Sequence, residues 1–357
     1  MKFSLDLQLA IATAFIILTG LLLHQSFSTQ SFYQQLAHLS FGLLLFLIIT
    51  KIDLNLLAPF KTHLYLTVIG LLLITLLVGR ATHGSVRWLT LGSWLNFQPS
   101  EIAKILLTFS FAATLTHTDL ASVKSMLKIG LVYSLPIVLV FIQPDLSSGL
   151  IIMVILFSMA FAAGIRFIYQ LSFAFLGTAS SPLIWKLLKD YQKHRILTFL
   201  DPFSDPLGKG YNSIQAIIAV GSGQLLGRGL GHGTQSKLRF LPEHQTDFVF
   251  ASLAEEIGLV GSLLLIFAYT WLILRLYQLS EQSSTKFGYY VSIGLSTMFA
   301  VQTIINIGMN LGILPVTGVT LPLLSAGGSS LVTSLVALGI INKLACSNHS
   351  HPGIEIT

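Results

Sequence analysis

Charged residues are scarce in this sequence. Only 10% of its 357 residues are Asp, Glu, Lys or Arg, whereas 53% are hydrophobic. A soluble domain carries about 25% charged residues. The composition therefore excludes an ordinary soluble enzyme and predicts a membrane protein.

Cysteine is nearly absent as well. The single Cys346 excludes an intramolecular disulfide framework and a cysteine metal cluster. The net charge of +6 comes from basic residues scattered between apolar runs. Because these residues form no continuous basic patch, we expect the excess to set membrane topology and not to bind nucleic acid.

Long apolar runs, by contrast, are abundant. A hydrocarbon core about 30 Å thick needs about 20 apolar residues per helix, and ten runs meet this requirement. No convincing small-residue cleavage site follows the first run, so we interpret it as a retained span and not as a signal peptide. The predicted spans are 7–25, 33–50, 62–80, 100–117, 127–143, 146–164, 165–187, 247–275, 287–310 and 319–344.

These runs predict an all-α polytopic membrane protein of ten helices, with residues 1–357 as a single membrane domain. Residues 188–246, between the seventh and eighth spans, form the one long loop. If both termini are cytoplasmic, the short inner segments hold nine basic residues and the short outer ones only Arg80 and Arg87. This asymmetry predicts cytoplasmic termini and places the long loop at the outer face. The inner residues are Lys2, Lys51, Lys61, Lys124, Lys128, Arg166, Arg275, Lys286 and Lys343.

The stretch RFLPEHQTDFVFASLAEEIG, residues 239–258, places an aspartate at the mouth of the eighth span. Ionisable groups in membrane spans are costly and are functional candidates by default. We expect Thr246 or Asp247 to start the helix, where the helix dipole favours the charged carboxylate and apolar neighbours favour the protonated one. Two interpretations remain open: Asp247 is a general base, or it only caps the helix.

Glu255 and Glu256 lie deeper in the same span. At 100° per residue, Glu255 is rotated about 80° from Asp247 around the helix axis and Glu256 about 180°. Only Glu255 could therefore share a cavity with Asp247. We interpret both glutamates as structural or gating carboxylates.

Two further polar motifs begin predicted spans. In FQPSEIAKILL, a spacing of three places Glu101 and Lys104 on one helix face. They form either a self-neutralising ion pair or a site where Lys104 holds an anionic headgroup. In QPDLSSGL, Asp145 is either a helix N-cap that bonds the amides near Ser147 and Ser148 or a residue that lines a cavity, and the two roles do not exclude each other.

The segment HGSVRWLTLGSWLNFQPS, residues 83–100, joins the third and fourth spans. Tryptophans at a membrane interface commonly act as anchors, and we assign that role to Trp94. Arg87 beside Trp88 could instead hold a phosphate and a sugar face.

Two glycine-containing stretches complete the candidates. The glycines of residues 221–233 lack a preceding strand and a Gly-Lys-Ser/Thr ending, so a nucleotide site is weakly supported. The helical spacing of residues 211–226 instead predicts an amphipathic helix at the outer interface, after which glycine allows close approach to a bulky ligand. The stretch GILPVTGVTLPLLSAGGSSLVTS, residues 312–334, predicts a broken helix whose exposed backbone lines a cavity, near Ser329.

Taken together, these motifs resemble the SEDS family of bacterial shape, elongation, division and sporulation proteins. The resemblance runs from about residue 80 to 335, and RILTFLDP and GTQSKLRFLPE resemble the RodA elongation branch more than the FtsW division branch. It implies ten membrane helices in the bacterial cytoplasmic membrane. It also implies a peptidoglycan glycosyltransferase that polymerises lipid II outside that membrane together with a class B penicillin-binding protein.

The resemblance also assigns roles to residues. The aspartate of TDF, Asp247, would deprotonate the acceptor, and the donor glycan would leave undecaprenyl pyrophosphate. A divalent cation, Mg²⁺ or Mn²⁺, held by Asp145 and Glu101 is left open. The residues expected to bind substrate or its pyrophosphate are Arg87, Trp88, Glu101, Lys104, Asp145, Arg195 and Ser329.

The sequence departs from the family pattern at two positions. Gln245 stands where a histidine often precedes TD, with His244 one residue earlier, and Ala326 replaces an aromatic residue before GGSS. A histidine that orients the base and a ring that stacks on substrate are therefore not expected at these two positions. A lipid II flippase and a non-catalytic scaffold for a penicillin-binding protein remain alternatives, since intramembrane charges and broken helices also suit transport.

Overall fold

A computed structural model describes residues 5–82, 85–91, 95–118, 122–165, 171, 186, 190–206, 208, 210–238 and 240–346. Within these ranges, seven helices are long and apolar enough to cross a membrane. The α-helices are α1 (Leu7–Phe27), α2 (Thr29–Ile49), α3 (Lys61–Val78), α4 (Pro99–Thr116), α5 (Val123–Ile142), α6 (Leu146–Ala162), α7 (Asp190–Leu200), α8 (Tyr211–Ser222), α9 (Thr234–Lys237), α10 (Val249–Glu281), α11 (Lys286–Asn310) and α12 (Gly328–Cys346), and 3-10 helices cover Leu54–Phe60 and Pro202–Ser204.

Helices lie over nine of the ten predicted spans. The seventh, 165–187, lies largely outside the described residues, so the count of ten helices stays a prediction. Several predicted starts differ from the observed ones, and two of these differences bear on the site. The eighth span begins at Val249 and not at Thr246 or Asp247, and the last begins at Gly328 and not at residue 319. In the last case Pro322 lacks the amide hydrogen that a helix interior needs.

A small antiparallel sheet lies between α3 and α4, which the all-α prediction did not include. Its strands are β1 (Arg80–Thr82), β2 (Ser85–Leu91) and β3 (Leu95–Phe97), in the order β1-β2-β3. The β-branched and aromatic residues of SVRWLTL favour an extended strand. The all-α prediction holds for the nine described spans but not for this connection.

The most buried helices of the fold are α4, α11 and α12. Of the apolar windows that could cross a membrane, those of α11 and α12 are 72% and 78% buried, whereas that of α1 is 33% buried. The outer helices expose large apolar side chains such as Leu18 and Leu77. In a membrane such faces contact lipid, so α11 and α12 occupy the protein interior.

The longest helix, α10, is broken at Gly258. The backbone there has φ 68° and ψ −168°, a conformation that is essentially restricted to glycine. The amides after the break find partners in the loop that follows α8. Leu259 N donates to Gln224 O at 2.9 Å and Val260 N donates to Leu225 O at 3.1 Å. The break therefore anchors this loop to a membrane helix.

The two buried glutamates next to the break hold surrounding segments in place. The Glu255 carboxylate accepts hydrogen bonds from Gln235 N at 2.8 Å, Ser236 N at 3.1 Å and the hydroxyls of Thr234 and Ser236. Glu256 accepts one from the Ser26 hydroxyl at 2.8 Å. The structural interpretation of both residues agrees with these contacts.

An ion pair joins the start of α1 to α10. The Asp6 carboxylate caps α1 by accepting from Leu9 N, and it also accepts from Arg275 Nε, both at 2.9 Å. The hydrogen bond from Arg275 holds the pKa of Asp6 below its usual value of 3.8. Because the folded pKa is lowered, the stabilisation is present above about pH 4 and is lost as the pH falls through the folded value.

We expect Asp6→Asn to lower the free energy of unfolding by about 1 kcal/mol or less at pH 7, because the pair is partly exposed. The difference from wild type should shrink as the pH falls below about 4. Thermal unfolding in detergent at several pH values measures it. Asp53→Asn is the control, since Asp53 caps a 3-10 helix in the same way. An equal loss at pH 7 and pH 3 would contradict the ion-pair assignment.

Candidate active site

A cavity of about 560 Å³ lies where α4, α6, the start of α10 and the segment before α12 meet. Residues far apart in the sequence line it. Six of the predicted site residues are among them: Glu101, Lys104, Asp145, Arg195, Asp247 and Ser329. The folded chain therefore brings these side chains to one place.

The other two predicted residues are described through their backbone alone. Arg87 and Trp88 lie on β2, whose backbone packs against α3 and α4. Their side chains are outside the part of the chain that is described, so their roles stay predictions. Glu255, which could have shared a cavity with Asp247, does not line this one, because its carboxylate is bound to α9.

Glu101 and Lys104 form a buried ion pair in the first turns of α4. Pro99 starts the helix, which suits its missing amide hydrogen. The Lys104 ammonium lies 2.8 Å from Glu101 Oε1, and only 1% of the lysine is exposed. The geometry fits a self-neutralising pair, and both residues also line the cavity.

We expect Lys104→Met to cost about 3–5 kcal/mol of stability, because it leaves the Glu101 carboxylate buried without its cation. The double variant Glu101→Gln/Lys104→Met removes both charges, and most of the lost stability should return. Thermal unfolding of both variants in the same detergent tests this. If the double variant is as unstable as Lys104→Met, the loss comes from packing and not from charge.

Asp145 is both a helix cap and a wall of the cavity. Its Oδ1 accepts from Ser148 N at 3.2 Å, which caps α6. Its Oδ2 accepts from Gln98 Nε2 at 3.0 Å and from the Ser100 hydroxyl at 3.2 Å. The carboxylate thereby joins the starts of α4 and α6, so the two roles that the sequence allowed occur together.

The donors around these carboxylates do not fit a resident divalent cation. Such an ion takes several oxygen ligands, whereas Glu101 binds an ammonium group and both Asp145 oxygens accept hydrogen bonds. Among the described residues, no three His, Cys, Asp or Glu side chains are placed to hold a metal. The proposed reaction therefore uses protein side chains alone.

Asp247 lies two residues before α10. Phe248 is the N-cap residue and its side chain makes no capping hydrogen bond, whereas Asn310 Oδ1 accepts from Ala251 N in the first turn of the helix. The half-buried Asp247 lines the cavity. Gly318, with φ 75°, approaches it so closely that a Cβ atom there would lie 3.2 Å from Oδ2. Glycine thus makes room for the carboxylate.

Arg195 and Ser329 line the cavity near the segment before α12. Arg195 of α7 donates from NH1 to Thr317 O at 3.2 Å, and the Ser147 hydroxyl donates to the same carbonyl. Ser329 lies in the first turn of α12. The Thr317 carbonyl therefore connects α7 and α6 at the cavity wall.

The two positions that depart from the family pattern are connected to each other. Gln245 O accepts from Ala326 N at 2.8 Å, and the Gln245 side chain accepts from the Ser31 hydroxyl at 3.0 Å. The ring of His244 packs edge-on against Phe27, with 5.0 Å between ring centroids. Gln245 and His244 do not line the cavity, whereas Ala326 does.

Sequence reasoning missed several polar residues at the site. Gln302 lines the cavity from α11, and Asn306 and Asn310 follow at spacings of four, which places all three on one helix face. The signal that could have found these three residues is the occurrence of polar side chains within an apolar span. The other missed polar lining residues include Gln98, Asn212, Glu243 and Thr246.

Comparison with known proteins gives related enzymes along nearly the whole chain. A family described as cell cycle protein, comprising FtsW, RodA and SpoVE, matches residues 4–350. Peptidoglycan glycosyltransferase MrdB of Escherichia coli (strain K12) is 39% identical over 320 residues, covering 89% of this chain and 85% of the relative. A probable peptidoglycan glycosyltransferase FtsW of Aliivibrio salmonicida is 36% identical over 360 residues, covering 96% and 89%.

Solved structures share the fold. A chain in a structure described as the structural coordination of polymerization and crosslinking by a peptidoglycan synthase complex has a TM-score of 0.84 and 30% identity, covering 98% of this chain and all of its own. The crystal structure of the rod shape determining protein RodA of Thermus thermophilus has a TM-score of 0.73 and 28% identity, covering 96% and 97%. The chain belongs to the FtsW, RodA and SpoVE family.

Proposed function

We propose that this chain is a peptidoglycan glycosyltransferase that polymerises lipid II in the cavity between α4, α6 and α10, with Asp247 as the general base. One observation carries the proposal. Six residues from five separate parts of the chain, chosen for their chemistry, line a single cavity of about 560 Å³. The relatives named above as peptidoglycan glycosyltransferases support the reaction class.

In the proposed reaction, the Asp247 carboxylate takes the proton of the acceptor sugar 4-hydroxyl. The oxygen attacks the anomeric carbon of the growing glycan with inversion, and the bond from that carbon to undecaprenyl pyrophosphate breaks. The pyrophosphate leaves with the bonding electrons, so cations must meet it. General base catalysis of this kind contributes about 10²–10⁴-fold to a rate.

Three cations are proposed to meet the leaving group. Arg195 lines the cavity with its guanidinium oriented by the Thr317 carbonyl. Lys104 also lines it, although its charge is balanced by Glu101. Arg87 and Trp88 would bind a phosphate and a sugar face from β2, while Asp145 and Ser329 would position the substrate sugars.

The proposed topology has ten helices in the bacterial cytoplasmic membrane, with both termini cytoplasmic and the loop 188–246 outside. The seven described helices able to cross a membrane support a multi-pass protein. A class B penicillin-binding protein is the proposed partner. It is supported by the likeness to a chain of a peptidoglycan synthase complex. Elongation is the proposed role, since RodA is among the similar structures.

Purified protein in vesicles with lipid II tests the function. Polymerase activity produces glycan strands that a gel resolves by length. A flippase would instead move lipid II between leaflets without lengthening it. A scaffold would give neither product and would only raise the activity of its penicillin-binding partner. Translocation without strands, or no product with or without the partner, would overturn the proposal.

A further inference from the structure

Asp247 is held by the protein through its backbone. Its carbonyl accepts hydrogen bonds from Asn306 Nδ2 at 2.9 Å and from Asn310 Nδ2 at 3.0 Å. Both asparagines belong to α11 and are completely buried. These two amides fix the backbone of the residue that precedes Phe248, the N-cap residue of α10.

Asn306 connects the two walls of the cavity. Its amide nitrogen also donates to Val319 O at 2.7 Å, next to Gly318. An asparagine amide has two hydrogens, and both are used here. One holds the backbone that carries the Asp247 carboxylate, and the other holds the backbone that this carboxylate faces. Asn306 thus links the backbone of Asp247 to the backbone that its carboxylate faces.

Asn310 joins Asp247 to the first turn of α10. Its Oδ1 accepts from Ala251 N at 2.9 Å, in the first turn of α10, while its nitrogen binds the Asp247 carbonyl. It thereby fixes the helix start relative to Asp247. Asn310 does not reach the segment that carries Gly318 in any described hydrogen bond, so of the two asparagines only Asn306 links that segment to Asp247.

We propose that Asn306 is a positioning residue for the reaction. It touches no substrate and sets the distance and direction of the Asp247 carboxylate relative to the acceptor hydroxyl. This inference rests on the proposed function of Asp247. A misplacement of about 1 Å in a catalytic group can cost about 100-fold in rate, whereas substrate binding by the rest of the cavity is unchanged.

The test compares Asn306→Ala with Asn342→Ala, using purified protein and lipid II. Asn342 of α12 is also buried and joins distant segments, since its Oδ1 accepts from Asp6 N at 3.2 Å. Both variants remove the side-chain amide of a buried asparagine that joins distant segments. Asn342, however, does not line the cavity and makes no described hydrogen bond to Asp247. At a temperature where both variants are folded, Asn306→Ala should lower kcat about 10–100-fold with KM within about twofold of wild type. Asn342→Ala should keep the wild-type kcat.

Asn306→Ser serves if the alanine variant does not fold, because its hydroxyl retains one donor. Its kcat should lie between those of wild type and Asn306→Ala. A wild-type kcat in a folded Asn306 variant, or an equal loss of kcat in Asn342→Ala, would overturn the positioning role. Asp247→Asn separates the two proposals. If it polymerises lipid II normally, the base assignment fails, whereas an inactive Asp247→Asn with an active Asn306→Ala defeats only this inference.

Discussion

Asp247→Asn should lower the rate of lipid II polymerisation by about 10²–10⁴-fold, because the amide keeps the shape of the side chain and removes its basicity. The effect should fall on kcat, since an interaction made only in the transition state is lost. The measurement is the initial rate of glycan strand formation by purified protein. Stability should change little, because asparagine has the size of aspartate and Asp247 is only half-buried.

Glu281→Gln is the matched control for this substitution. It also exchanges a carboxylate for its amide, but Glu281 is exposed at the end of α10 and does not line the cavity. Its rate should equal that of wild type. If Asp247→Asn polymerises lipid II at the wild-type rate, Asp247 is not the base. If it unfolds at a lower temperature than Glu281→Gln, part of the rate loss is structural.

The sequence predicted which residues form the site better than it predicted how they are arranged in space. Charged residues are costly within apolar spans, so Glu101, Lys104 and Asp145 stand out as candidates from the amino-acid pattern alone. Their assembly into one cavity depends on contacts between distant segments, such as the Asp145 bonds to Gln98 and Ser100. Hydropathy carries no information on such contacts.

The helix start at Asp247 shows why a local pattern can mislead. Aspartate is a favoured N-cap residue, and this preference supports the capping alternative. In the structure, amides from α11 bind the backbone there, and the helix begins two residues later. Asn310 Oδ1 accepts the hydrogen bond from Ala251 N that a local cap residue would otherwise accept. The sequence analysis did not predict a role for Asn306 or Asn310, because it selected charged residues within apolar spans and these two side chains are neutral.

The small sheet and the contacts of the glycine-rich loop were missed for a different reason. Strands β1 to β3 are short, and a three-residue strand is hard to recognise in a chain dominated by helical periods. The glycines of residues 221–233 suggest close approach to a ligand. Gly223 and Gly227 instead approach the backbone of α10, where a Cβ would lie 1.9 Å from Ala254 O and 2.2 Å from Glu256 O.

Gly258→Ala should lower the free energy of unfolding by roughly 2–6 kcal/mol. The residue has φ 68°, and a Cβ atom there would lie 2.2 Å from Gly227 N. The backbone at Gly258 and the backbone of the loop that contains Gly227 are hydrogen-bonded to each other. Neither backbone can therefore move aside without breaking these hydrogen bonds. Gly227→Ala should behave alike, because its φ is 83°. The measurement is thermal unfolding of each variant in detergent, together with its yield in the membrane.

Gly221→Ala is the control for both variants. Gly221 lies in α8, and a Cβ atom there would meet nothing within 4 Å. This substitution should leave stability unchanged or raise it by up to about 1 kcal/mol, because alanine favours the helix. An unfolding temperature of Gly258→Ala equal to that of Gly221→Ala would show that the loop does not occupy the break. If the loop is held there as described, the two Gly–Ala exchanges at the break destabilise the protein from opposite sides of one backbone contact.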